Sequence, residues 1–187
     1  MIGYPSNVLV VADYPKPRFE EAIRSKIDFV LSLGDVEPPI LEEIHLRFQK
    51  PIFAVKGNHD SIKPFPEYIT DVNLRFVQHR NWFIGGFGGV PASTGSGAHE
   101  WDDLGATWKL SKLPYVDIFI CHAPVLGITD KEGYAHQGSE AIRRYIETQQ
   151  PKFVYHGHVH EKMGAMVGNT AVVSVYGADL FSLTYTS

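Results

Sequence analysis

Five short apolar runs in this chain each lead into a residue that can hold a metal ion or move a proton. Val8 to Ala12 ends in Asp13, and Phe29 to Leu33 leads through Gly34 to Asp35. Ile52 to Val55 leads through Lys56-Gly57 to Asn58-His59-Asp60, Val116 to Ile120 through Cys121 to His122, and Phe153 to Tyr155 through His156-Gly157 to His158-Val159-His160. Taken singly each has a bland reading. An Asp after a strand is ordinarily a turn former or helix cap, and an Asn after Gly ordinarily tolerates unusual backbone angles. Five such coincidences at five strand ends are improbable, and the set supplies carboxylate, amide and imidazole. That mix suits a divalent metal such as Mn, Fe, Zn, Ni or Co.

The elements that must position these groups are short β-branched runs separated by amphipathic stretches. The five apolar runs and Trp82 to Ile84 read as buried strands. Phe19 to Lys26, Pro39 to Gln49 and Ser139 to Thr148 carry apolar residues at helical spacing, with Ser139 as an N-cap. Such alternation predicts an α/β fold around a largely buried sheet. In open α/β sheets, ligands bind outside the carboxyl ends of the strands, so the five segments should converge on one edge. Two regions break the pattern. Residues 85 to 105, rich in Gly and small polar residues, read as a long functional loop, and Lys162 to Tyr185 alternates as a hairpin around Gly168-Asn169.

Composition narrows the class. The chain has 187 residues, 44% of them hydrophobic, and 17 Lys+Arg against 21 Asp+Glu give a net charge of -4. At about 150 residues per domain this predicts a single domain spanning 1–187. No cationic block exists to support nonspecific binding of duplex nucleic acid. The single cysteine, Cys121, rules out an internal disulfide framework and points to a cytoplasmic protein. No run approaches the roughly 20 apolar residues of a membrane span, so no membrane partner is expected.

The ordered blocks Asp13, Gly34-Asp35, Gly57-Asn-His-Asp60, His122 and Gly157-His-Val-His160 resemble those of the calcineurin-like metallophosphoesterases, whose pattern is D-x-H, G-D, G-N-H-[DE], H and G-H-x-H. His122-Ala-Pro and His136-Gln-Gly-Ser139 extend the agreement, which runs from about residue 7 to the tail. The resemblance implies a two-sheet β-sandwich flanked by helices and a centre for up to two divalent ions bridged by Asp35. It places Asn58, His122 and His158 with Asp35 at one position, and Asp13 and His160 with Asp35 at the other. His59 would be catalytic, protonating the leaving oxygen of a small phosphoester substrate, with Asp60 able to orient its ring. Two cations about 4 Å apart neutralise a phosphate and lower the pKa of an attacking water. The small members of the family that the chain resembles often act on phosphodiesters, so the resemblance favours a phosphodiesterase over a phosphomonoesterase.

The chain departs from the pattern at one point. Two residues after Asp13 it has Pro15 in place of the D-x-H histidine, which weakens the Asp13 position; a water, Tyr14 or Lys16 are the candidate substitutes. The loss also motivates a rival expectation, a catalytically impaired member acting as a protein-interaction module. The remaining singled-out residues divide as follows. Cys121 lacks the Arg that a Cys-phosphatase loop needs and is expected to be a buried filler. His156 is expected in the core, and His45, His79 and His99 on the surface. His136 is expected near the site, contacting phosphate or making a structural hydrogen bond. Gly85 to Gly89 fits neither G-x-G-x-x-G nor a Walker loop, and no G-x-S-x-G elbow occurs.

Overall fold

The computed structural model describes residues 5–13, 26–92, 98–133 and 136–185. The helix expected over Phe19 to Lys26 falls almost wholly outside them, as does Pro15. Strands β1 (Ser6–Ala12), β2 (Phe29–Ser32), β3 (Ile52–Ala54) and β4 (Ile69–Asp71) run parallel, and β13 (Gly177–Leu183) pairs antiparallel with β1, giving the order β13-β1-β2-β3-β4. A second sheet has the order β11-β12-β10-β9-β6-β5. Its members are β5 (Phe76–His79), β6 (Trp82–Phe87), β9 (Ile118–Cys121), β10 (Phe153–His156), β11 (Met163–Val167) and β12 (Thr170–Ser174). The short strands β7 (Val90–Pro91) and β8 (Glu100–Trp101) pair only with each other.

Side-chain alternation builds the layers. In β1, Val8, Val10 and Ala12 face a core shared with Leu31, Ile84, Ile118, Ile120 and Tyr155, which is the space between the two sheets. Leu9 and Val11, on the opposite face, pack with Ile40, Leu41 and Ile44 of α1 (Pro38–Phe48). Phe119, Cys121 and Val154 leave the second sheet outward against α2 (Asp103–Leu110) and α3 (Glu140–Gln149). The result is the expected two-sheet sandwich with helices on both outer faces. As expected, Ser139 caps α3, its hydroxyl accepting from the Ile142 N–H at 3.1 Å. Gly168, at φ 60°, and Asn169 turn the β11–β12 hairpin. Among the described residues no helix is long and apolar enough to cross a membrane.

The described parts of the stretch 85 to 105, residues 85–92 and 98–105, hold strands and the start of a helix where a long loop was expected. β6 continues through Gly85 and Gly86 because the neighbours come too close for a side chain: a Cβ on Gly86 would lie 2.5 Å from Ile120 O and 2.7 Å from Val55 Cγ1. The glycines record close packing instead of a turn. β7 and β8 follow, and α2 starts at Asp103, capped by Asp102, which accepts from Gly105 N at 2.7 Å. Asp103 Oδ1 in turn accepts from Ser139 Oγ at 2.9 Å, tying α2 to the start of α3.

His79 also differs from expectation. Its half-buried ring sits 5.4 Å from both Phe29 and Phe53, and its Nε2 is buried without a hydrogen-bond partner. Burial, then the nearby Arg80, hold its pKa below the usual imidazole value, against the opposing pull of Asp28. Because the folded pKa is depressed, the unfolded chain binds more protons below about pH 6.5, and stability is lost as pH falls from there. The thermal midpoint of His79→Leu should therefore fall less than that of the parent between about pH 8 and about pH 5. Equal falls would show that His79 carries none of this dependence.

Candidate metal centre

Because β1, β2 and β3 run parallel, as do β9 and β10, all five chemistry-bearing segments leave at carboxyl ends. The two edges are laced together there. Asp13 N donates to Gly34 O at 3.3 Å and Gly157 N to His122 O at 3.2 Å. Between the sheets, His158 N donates to Asp13 Oδ2 at 2.7 Å. Three glycines make the approach possible. A Cβ on Gly34 (φ 100°) would lie 2.8 Å from His122 Nδ1, one on Gly57 2.7 Å from His122 Cε1, and one on Gly157 would collide with Asp13 Oδ2. Asp13, Asp35, His158 and His160 all have positive φ, at 52°, 53°, 71° and 52°. Non-glycine residues adopt this region at a cost, and such strain gathers at functional sites.

His122 is the fixed centre. It is fully buried, and its Nδ1 lies 2.9 Å from Leu33 O, which defines Nδ1 as the donor and turns Nε2 inward as a lone-pair acceptor. Nε2 then faces Asn58 Oδ1 at 3.1 Å, Asp35 Oδ2 at 3.2 Å and Asp13 Oδ1 at 3.8 Å. One ligand atom each from Asp13, Asp35 and His122 falls within a 4.8 Å cluster. Asp13 Oδ1 is buried and has no hydrogen-bond partner, although His160 Nε2 stands 3.7 Å away. An orphaned carboxylate oxygen opposite other acceptors needs a cation, so this donor set fits a divalent metal.

The electrostatics agree. Burial pushes the Asp13 carboxyl above its ordinary range, outweighing His122 and the His158 N–H. At Asp35 burial pushes the same way, but the His122 hydrogen bond, its charge and the His59 N–H prevail and the pKa is lowered. His122 is disfavoured as a cation by burial, yet the hydrogen bond to Asp35 and the two carboxylate charges raise its pKa. The field that draws a proton to Nε2 is the field that would hold a metal.

Asp13, Asp35, Asn58, His59, Asp60, His122, His136, His158 and His160 all lie at this edge, while position 15 lies outside the described residues. The His158 ring is 5.1 Å from His122 and 5.4 Å from His136, and the exposed His160 ring is 6.1 Å from His136. His59 stands exposed at the rim, its Nε2 3.1 Å from Asn58 Nδ2, while its backbone N–H donates to Asp35 Oδ1 at 2.9 Å. Asp60 Oδ2 accepts from Asp35 N at 2.9 Å and Gly57 N at 2.8 Å, locking the loops after β2 and β3 together; the ring of His59 meets Asn58 instead. Glu100 was not foreseen. It walls a cleft of about 240 Å³ that Asp35, Asn58, His59, His136 and His158 also line, and its place in a Gly- and Ser-rich stretch gave no signal. Of the other histidines, His156 is fully buried, as expected. His45, stacked on Tyr68, and His99, 3.4 Å from Ser61 O, are half-buried instead of freely exposed.

A two-sheet sandwich with acids and imidazoles at its joined carboxyl edges defines the class as metallophosphoesterase. The model of the calcineurin-like phosphoesterases matches residues 12–162, and the chain belongs to that family of metal-dependent phosphoesterases. Among solved structures it is similar to TT1561 of Thermus thermophilus, at 18% identity, TM-score 0.59, over 95% of this chain and 99% of that one. It is also similar to vacuolar protein sorting 29 from Cryptosporidium parvum, at 12% identity, TM-score 0.53, over 99% and 100%. GAP50, described as the anchor in the inner membrane complex of Plasmodium, aligns at 14% identity, TM-score 0.53, over 92% and 71%. At these identities the likeness is one of fold. No curated protein matches the sequence.

Proposed function

We propose that this protein hydrolyses a phosphodiester with the help of divalent metal, Mn²⁺ or a similar ion, within one domain and in the reducing cytoplasm that its single buried cysteine suits. The observation that carries the reading is the orphaned, buried Asp13 Oδ1, clustered with Asp35 and His122, whose Nε2 also meets Asn58, beneath a rim that bears the exposed His59. Asp35, Asn58, His122 and His158 would hold one ion; Asp13, Asp35 and His160 would hold a second. When bound, such ions neutralise the phosphoryl oxygens and activate water.

The remaining steps belong to the chain. His59, exposed and tethered by its backbone N–H to Asp35 Oδ1, would give a proton to the leaving oxygen. Asp60 acts through the backbone, holding the Asp35 and Gly57 amides so that Asp35 and His59 keep their spacing. His136, beside His158 and His160, would contact a phosphoryl oxygen.

Metal content and turnover test the reading together. The position that keeps all its protein ligands should bind ions more tightly than the Asp13 position, where Pro15 has removed an imidazole; the loss of even supporting groups commonly costs about 10- to 100-fold in affinity. Calorimetric titration with Mn²⁺ should therefore resolve one tight and one weak event, and hydrolysis of bis(4-nitrophenyl) phosphate should rise across the weak one. Two equally tight sites would mean that water or Tyr14 fully replaces the lost ligand. Preference for 4-nitrophenyl phosphate would reassign the substrate to monoesters, and neither uptake nor hydrolysis would favour the interaction-module reading.

A further inference from the structure

The three imidazoles assigned to metal are held to very different degrees. His122 is fully buried and anchored through Nδ1 to Leu33 O, and the His158 ring stands 5.1 Å from that of His122. His160 has neither support. Its side chain is 58% exposed, its imidazole makes no hydrogen bond among the described residues, and its Nε2 stops 3.7 Å from the orphaned Asp13 Oδ1. A ring this open to water exchanges between rotamers, and fixing one of them costs entropy that weakens its bond to an ion.

A residue that no motif marks limits this freedom. Tyr176 lies in the two-residue link between β12, which ends at Ser174, and β13, which begins at Gly177, where the chain crosses from one sheet to the other. Both sides of the link are fixed. Val175 N donates to His156 O at the end of β10, at 2.8 Å, and Gly177 pairs with Ala12, the residue before Asp13. Tyr176 is thereby set beside the ends of the two strands that deliver His160 and Asp13. Its half-buried ring lies 5.2 Å from the His160 ring, centroid to centroid, and is inclined to it at 33°. The His136 ring is farther from His160, at 6.1 Å. Rings at such separations attract one another beyond the area they bury.

We infer that Tyr176 is the positioning residue of the weaker ion position: its ring backs the His160 imidazole and keeps Nε2 turned toward Asp13. The inference rests on the reading of this cleft as a metal centre. It gives the position that Pro15 has deprived of one imidazole a means of holding the other. The contribution comes from the aromatic ring, and the phenol hydroxyl is dispensable.

Two measurements test this, the first without metal. In NMR spectra of the chelator-treated parent, the ring protons of His160 and Tyr176 should show cross-relaxation; its absence overturns the inference, whether or not any variant folds. The second is calorimetric titration with Mn²⁺. Tyr176→Ala should weaken the weak event about tenfold, the lower end of what a supporting partner is worth, and leave the tight event at parent affinity. Tyr176→Phe should keep both events. Equal weakening of the two events in Tyr176→Ala would reduce the residue to a part of the fold. A loss in Tyr176→Phe as large as in Tyr176→Ala would transfer the role to the hydroxyl, and either result overturns the inference. Absence of both events in the parent would overturn the metal reading instead, a result that the ring contact does not share.

Discussion

Asp35→Ala should abolish metal-dependent turnover and strip the protein of metal, whereas His59→Ala should keep its metal and lose about 10²- to 10⁴-fold in rate. The two residues are neighbours in space, since the His59 N–H donates to Asp35 Oδ1 at 2.9 Å, so their separation is a strict test of roles. Asp35 Oδ2 faces His122 Nε2 at 3.2 Å in the buried cluster, and its removal deletes the one carboxylate assigned to both ion positions. The His59 side chain is exposed, its Nε2 3.1 Å from Asn58 Nδ2, so its loss should remove the proposed proton donor without opening the cluster. Metal content by mass spectrometry and steady-state rates on bis(4-nitrophenyl) phosphate read both effects. Equal metal loss in the two variants would place His59 among the ligands.

Gly57→Ala should be nearly as damaging although it removes no functional group. The added Cβ would collide with the Asp35 carboxyl group and lie 2.7 Å from His122 Cε1, so Asp35 must move away from the ring it faces. Overpacking of this kind costs about 1–3 kcal/mol in stability. The larger consequence is at the site, where displacement of the shared carboxylate should lower metal affinity by at least about 100-fold, the upper end of what a supporting contact is worth. Gly164→Ala is the matched control, since its Cβ would meet nothing closer than Val172 O at 3.9 Å. Calorimetry with Mn²⁺ on the folded variants decides it: parent-like affinity in Gly57→Ala would mean that the loop relaxes and that the glycine serves only the backbone.

The elements that could be read from the sequence are those whose signal is local. β1, β2, β3, β9 and β10 are continuous apolar runs, and α1 and α3 repeat their buried residues at helical spacing. β4, β5, β7 and β8 have two to four residues and bury few of them fully, so they carry almost no pattern. α2 is hidden for a related reason: only Ala106 and Leu110 are buried in its eight residues, and Gly105 lies within it. Glycine was the misleading residue. Gly85 and Gly86 suggested a loop, yet they lie within a strand where neighbouring backbone, Arg75 O and Ile120 O, comes too close for a Cβ.

The sequence by itself determined which groups can hold metal and that they follow strands, because a buried run ending in a polar residue needs no distant partner to be recognised. It also carried the loss at Pro15, a matter of residue type alone. Only the tertiary structure decided how strands of similar composition divide between two sheets, with β13 crossing back to pair antiparallel with β1. It alone turned the His122 lone pair inward through Leu33 O, orphaned Asp13 Oδ1 and set Glu100 in the wall of the metal cleft. These properties arise from contacts between residues far apart in the chain, such as His122 with Leu33 and Asp13 with His158. Their energies depend on burial and direction, which residue order does not encode until the sheets have met.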